Sequence, residues 1–130
     1  MDSTDLRSPL ARAQGLGSAK GGVKHWWAQR VSAVALVPLT LWFLGSIIAH
    51  TESDYTAVIE WLKTPLASLA MVVLLLALFH HTALGLQVVI EDYVHSNVKF
   101  AAVIAVRLGC LALASAGIAA TLRILFLVQG

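Results

Sequence analysis

Charge is the first thing this sequence has little of. Only 12% of its 130 residues are Asp, Glu, Lys or Arg, and 58% are hydrophobic. Ordinary globular domains carry about 25% charged and about 45–50% apolar residues. A chain this short buries the smallest fraction of its surface, so its excess apolar material must face lipid or partner subunits. A water-soluble domain is excluded. Cysteine is also scarce, with Cys110 alone inside an apolar run, which excludes an intrachain disulfide and any multi-cysteine metal or iron–sulfur site. No dinucleotide-binding glycine fingerprint and no tandem repeat is present. The net charge of +2 is too small to argue for nucleic acid.

What is present is three long apolar runs. Val31 to Thr51 and Thr64 to Ile90 contain no Asp, Glu, Lys or Arg, and Phe100 to Val128 contains only Arg107 and Arg123. About 20 apolar residues cross a bilayer core, and each arginine can snorkel toward one end of its run. The pattern predicts an all-α integral membrane protein with transmembrane helices at 28–50, 65–92 and 99–127. Trp26 and Trp27 anchor the first span at an interface, and Trp61 marks the beginning of the second. Pro65 suits a helix N-terminus, whereas Pro38 falls inside the first span and should bend it. In the third span Ala101, Ala105, Gly109, Ala112, Ala116 and Ala120 form a small-residue stripe for close helix packing.

Basic residues set the expected orientation. Arg7, Arg12, Lys20, Lys24 and Arg30 precede or open the first span, and Lys99 and Arg107 follow the second. The first connection offers only Lys63 among Glu52, Asp54 and Glu60. The positive-inside rule therefore places the N-terminus in the cytoplasm and the C-terminus in the periplasm. Residues 1–25, with Gly15, Gly17, Gly21 and Gly22, read as an irregular cytoplasmic arm, and 26–130 as the anchor domain. The arm lacks the apolar core of a signal peptide, and Asp2 and Asp5 argue against a transit peptide.

The residues able to carry chemistry cluster in one segment, Phe79-His-His-Thr-Ala-Leu-Gly-Leu-Gln-Val-Val-Ile-Glu-Asp-Tyr93. His80 and His81 lie inside the second span, where an ionisable side chain is costly and calls for a partner. At about 100° per residue, His81, Gly85 and Asp92 share one helix face, and Asp92 and Tyr93 emerge about 16 Å beyond His81. Gly85 would leave a gap beside the imidazole for a flat ligand. Taken singly these residues also have plainer roles: a histidine bonded across a helix interface, a packing glycine, a solvated Asp and an interfacial tyrosine.

Taken together, His81-x3-Gly85-x6-Asp92-Tyr93 at the end of the second of three spans resembles a membrane-anchor subunit family of succinate dehydrogenase, respiratory complex II. His-Trp-Trp-Ala-Gln-Arg at 25–30 and Arg-Ala-Gln-Gly-Leu-Gly at 12–17 resemble its bacterial form related to mitochondria. The resemblance implies half of a heterodimeric haem-binding bundle in the bacterial inner membrane. It implies His81 as an axial ligand of haem b, with the second histidine supplied by a partner membrane-anchor subunit. Arg30, and more weakly His25, would lie near the haem propionates. Tyr93 would hydrogen-bond a ubiquinone carbonyl in a site shaped by Asp92, and His80 would face another helix.

The iron–sulfur and flavoprotein subunits would carry succinate oxidation, so the chain alone is not expected to be an enzyme. The physics is compatible with these roles. Neutral imidazole holds haem iron, arginine meets carboxylates bidentately, and a phenol donates to a quinone carbonyl. The alternative is a non-redox three-helix protein, such as an assembly factor or transporter subunit. In it His80 and His81 would form a polar helix contact or a proton relay.

Overall fold

The computed structural model describes residue 9 and residues 19–128, and within these there is no strand. Much of the expected N-terminal arm, including Arg7, Arg12 and the 12–17 segment, lies outside the described residues. Four helices follow: α1 Ala19–Ala49, α2 Tyr55–Leu62, α3 Pro65–Tyr93 and α4 Val98–Leu127. Gly22–Ala49 of α1, with all of α3 and α4, are long and apolar enough to span a membrane. The three predicted spans are thus present, with ends shifted by a few residues.

Two differences from expectation have physical causes. The end of the arm is helical from Ala19, through Gly21 and Gly22, rather than irregular. Each glycine costs about 1 kcal/mol relative to alanine in a helix. Extension from an already formed span needs no new nucleus, however, so the helix continues upstream. The helix also runs through Pro38 without interruption. Second, the loop after α1 holds the short helix α2. Asp54 caps it, accepting from the Ala57 N–H at 2.8 Å. Trp61 therefore lies on α2 rather than at the start of the next span, and its ring packs against His50 and Trp42 at 4.7 and 5.9 Å.

Thr64 then caps α3, with Pro65 at the first helical position, where its missing N–H removes no helical bond. Ser68 is buried, and its hydroxyl lies within bonding distance of the Leu62 and Thr64 carbonyls, 2.6 and 3.1 Å away. Those bonds settle the α2–α3 corner, where a bare hydroxyl would otherwise be stranded.

Helix α3 is the centre of the assembly, packing along both α1 and α4. Its contact with α4 is made by small residues, but not by the expected stripe. Ala114 and Thr121 are buried, and a Cβ added at Gly117 would come within 2.9 Å of Leu75 Cδ1. The predicted stripe from Ala101 to Ala120 is exposed, with open space beside Gly109. The helix pair meets on the Ala114–Gly117–Thr121 face, about one-third of a turn away from that stripe. Among the described residues only Ile59, Ala67, Leu74 and Ala114 form a buried apolar core. Most large apolar side chains face outward, the distribution expected of a lipid-embedded subunit rather than a water-soluble one.

Candidate functional site

The antiparallel course of α1 and α3 sets the start of α1 beside the last turns of α3. There His81, half-buried on α3, has Nδ1 3.0 Å from Ser32 Oγ on α1. Ser32 itself is only 7% exposed, and its hydroxyl donates to the Gln29 carbonyl at 3.0 Å. No hydrogen bond forms to His81 Nε2 among the described residues. An interhelical hydrogen bond in a membrane protein is worth about 0.6 kcal/mol on average, so this one is weak as glue. It fixes the ring more than it holds the bundle together.

One turn along, Gln29 lies over Gly85. Its Nε2 is 3.5 Å from where a Cβ on Gly85 would stand. The Gln29 side chain thus reaches into the space beside Gly85 where a gap for a flat ligand is expected. Among the described residues, Gln29 Oε1 and His25 Nε2 are buried without a hydrogen-bond partner. Buried polar atoms normally find a partner, so these two stand out. His25, Gln29 and Ser32 occupy one face of α1, a polar stripe toward its N-terminal end. That spacing of four and three residues is the signal by which the sequence could have disclosed Gln29 and Ser32.

The other predicted residues are placed around this centre. Arg30 is exposed and lies on a different face of α1, its guanidinium 5.3 Å from the Trp26 ring centre. It makes no ion pair among the described residues, leaving its charge available. Asp92 and Tyr93 are exposed at the end of α3, with Tyr93 80% accessible. The chain does not bring Arg30, Asp92 or Tyr93 into hydrogen-bonding contact with His81.

His80 points elsewhere, onto the open outer side of α3. It borders a groove of about 480 Å³ against α1 and another of about 530 Å³ against α4. In the latter, Arg107 Nε and Nη2 donate to Gln87 Oε1 at 3.2 and 2.6 Å. Gln87 Nε2 passes the contact on to Glu91 at 2.7 Å. Arg107 thus meets a polar partner inside the chain rather than relying on snorkelling alone. No group of three or more metal-ligating side chains occurs among the described residues. A metal held here would need ligands from a partner or a cofactor.

Three antiparallel helices able to span a membrane, with polar side chains gathered around His81 toward one end, define a multi-pass membrane protein. The comparison with known families agrees and is more specific. Residues 4–121 match the succinate dehydrogenase/fumarate reductase transmembrane subunit family, and the chain belongs to it. The succinate dehydrogenase hydrophobic membrane anchor subunit of Rickettsia bellii is 38% identical over 105 residues, covering 80% of this chain and 84% of that protein. The corresponding subunit of Rickettsia conorii is 30% identical over 109 residues, covering 82% and 86%. That of Paracoccus denitrificans is 31% identical over 97 residues, covering 75% of each. No solved structure matches. The chain is thus a membrane-anchor member of that family.

Proposed function

We propose that this anchor binds haem b and ubiquinone and helps pass electrons from succinate oxidation to the quinone. The observation that carries the reading is His81: a span histidine with Nδ1 engaged by Ser32 and no hydrogen bond to Nε2 among the described residues. The polar helix contact expected of a non-redox protein is present, and it is compatible with ligation because it uses one ring nitrogen only. When bound, haem supplies an iron that takes up and releases one electron at a potential tuned by its ligands and burial.

His81 would give one axial nitrogen. A second must come from another chain, here proposed as a partner membrane-anchor subunit, because no other histidine of this chain is hydrogen-bonded or stacked against His81 among the described residues. The orphaned His25 Nε2 and the carboxylate-free Arg30 suit haem propionates as donors at the end of the bundle. Tyr93 can donate its phenolic proton to a quinone carbonyl while the isoprenoid tail stays in lipid, and the Asp92 carboxylate shapes that polar mouth. The further proposed partners are the iron–sulfur subunit, docked at this end, and the flavoprotein subunit that oxidises succinate.

The test is optical. The purified complex should show a b-type haem spectrum on reduction and reduce a ubiquinone analogue with succinate. A complex with succinate–quinone activity and no haem would remove the ligand role of His81.

The proposed setting is the bacterial inner membrane, with the start of α1 and the α3–α4 connection in the cytoplasm. Arg30, Lys24 and Lys99 lie at that end, against Lys63 paired with Glu60 at 3.1 Å at the other. In a Cys110→Ser background, Ser53→Cys should react with an impermeant thiol reagent in intact cells. Ser96→Cys should react only after permeabilisation. The reverse pattern would turn the whole subunit over, and the quinone site with it.

A further inference from the structure

We infer that Ser32 is a positioning residue for His81: its hydroxyl accepts the Nδ1 proton and so fixes both the tautomer and the ring angle of the imidazole. This rests on the reading of His81 as a haem ligand. The hydroxyl carries one hydrogen, and two short contacts compete for it. The Gln29 carbonyl, 3.0 Å away, can only accept, so it takes the Ser32 proton. The 3.0 Å contact to His81 is then a bond only if Nδ1 carries the hydrogen and Ser32 Oγ receives it. The reverse assignment would leave the serine–carbonyl pair with no proton between them. Neutral imidazole with hydrogen on Nδ1 has its lone pair on Nε2, the form required to coordinate iron.

The surroundings favour a fixed arrangement. Ser32 is 7% exposed, in the wall of the α1–α3 groove, so little solvent reaches its hydroxyl. Its carbonyl partner belongs to the regular backbone of α1 and cannot turn away. The hydroxyl is therefore held at one end by a helix and presents its lone pair to the other helix. Partners of this kind orient a ligating imidazole and raise its basicity.

The experiment uses the assembled complex with Ser32→Ala, Ser32→Thr and His81→Ala. Ser32→Ala should raise the haem midpoint potential, since a less basic imidazole stabilises the ferric state less. It should also speed transfer of haem to an acceptor globin by about 10-fold, the lower end of what loss of such a partner costs. Ser32→Thr keeps the hydroxyl and should restore both readings toward wild type. Should the alanine complex not assemble, Ser32→Cys decides by the same two readings, because a thiol is a far weaker acceptor.

Wild-type potential and haem transfer in Ser32→Ala or Ser32→Cys would overturn the role of Ser32. So would a Ser32→Thr complex shifted as far as the alanine one. His81→Ala separates the two ideas. Haem retained in it defeats the ligand reading, whereas haem lost from it with Ser32→Ala unchanged defeats only the positioning role.

Discussion

Complex carrying His81→Ala is expected to lose its b-type haem, while complex carrying His80→Ala keeps it. The two residues are neighbours in sequence but about 100° apart on the helix. His81 turns toward α1 and is oriented by Ser32, in line with Gly85 and Asp92. His80 turns onto open grooves and makes no hydrogen bond among the described residues. Removing an axial ligand should cost more than the about 10–100-fold in affinity that loss of a supporting partner does. The haem-to-flavin ratio of purified complex measures it. Equal loss from both variants would sink the assignment to His81, and loss from His80→Ala alone would move the ligand to the outer face of α3. Haem would then have to lie against one of the two grooves that His80 borders.

The shared face of His81, Gly85 and Asp92 was readable from sequence because it depends on one helix only. Spacing along a single α-helix fixes which residues share a face, so His81, Gly85 and Asp92 could be aligned without knowing their surroundings. The spans were readable for a similar reason, since an absence of charge over a bilayer's thickness needs no tertiary information. What could not be read were relations between helices. Ser32 meets His81 only through the way α1 packs on α3, and the same packing lays Gln29 over Gly85, where a gap was expected.

The small-residue stripe of α4 shows the same limit. Periodicity found a stripe, but Gly117 and Ala114, on another face, are what lie against α3. Helix α2 escaped because eight residues capped by Asp54 are too few for a clear period beside the longer apolar runs. The residues with proposed roles in quinone binding stayed unassembled for a further reason. Tyr93 and Asp92 are exposed in this chain, and the proposed site there would need surfaces the sequence does not contain.

Tyr93→Phe is expected to lower succinate–ubiquinone reductase activity by roughly one to two orders of magnitude while leaving the haem in place. The substitution keeps the ring and removes only the phenolic donor. A hydrogen bond between uncharged groups is worth about 0.5–1.5 kcal/mol net, and a partner left unpaired costs about 1–3 kcal/mol. If the bond strengthens as charge develops on the quinone oxygen, each about 1.4 kcal/mol lost is a factor of ten in rate. Tyr93 is 80% exposed at the end of α3, so its replacement disturbs no packing within the chain. His81 lies twelve residues back along the same helix, about 18 Å by helical rise, too far for the change to reach the haem. Electron transfer from succinate to an artificial acceptor that bypasses quinone should therefore survive, and so should the haem spectrum. An aromatic residue serving only as an interfacial anchor predicts a different result, since phenylalanine occupies the same volume at the membrane surface. Unchanged quinone reduction in a fully assembled Tyr93→Phe complex would remove Tyr93 from the site. It would leave Asp92 as the remaining polar side chain of this motif at the mouth.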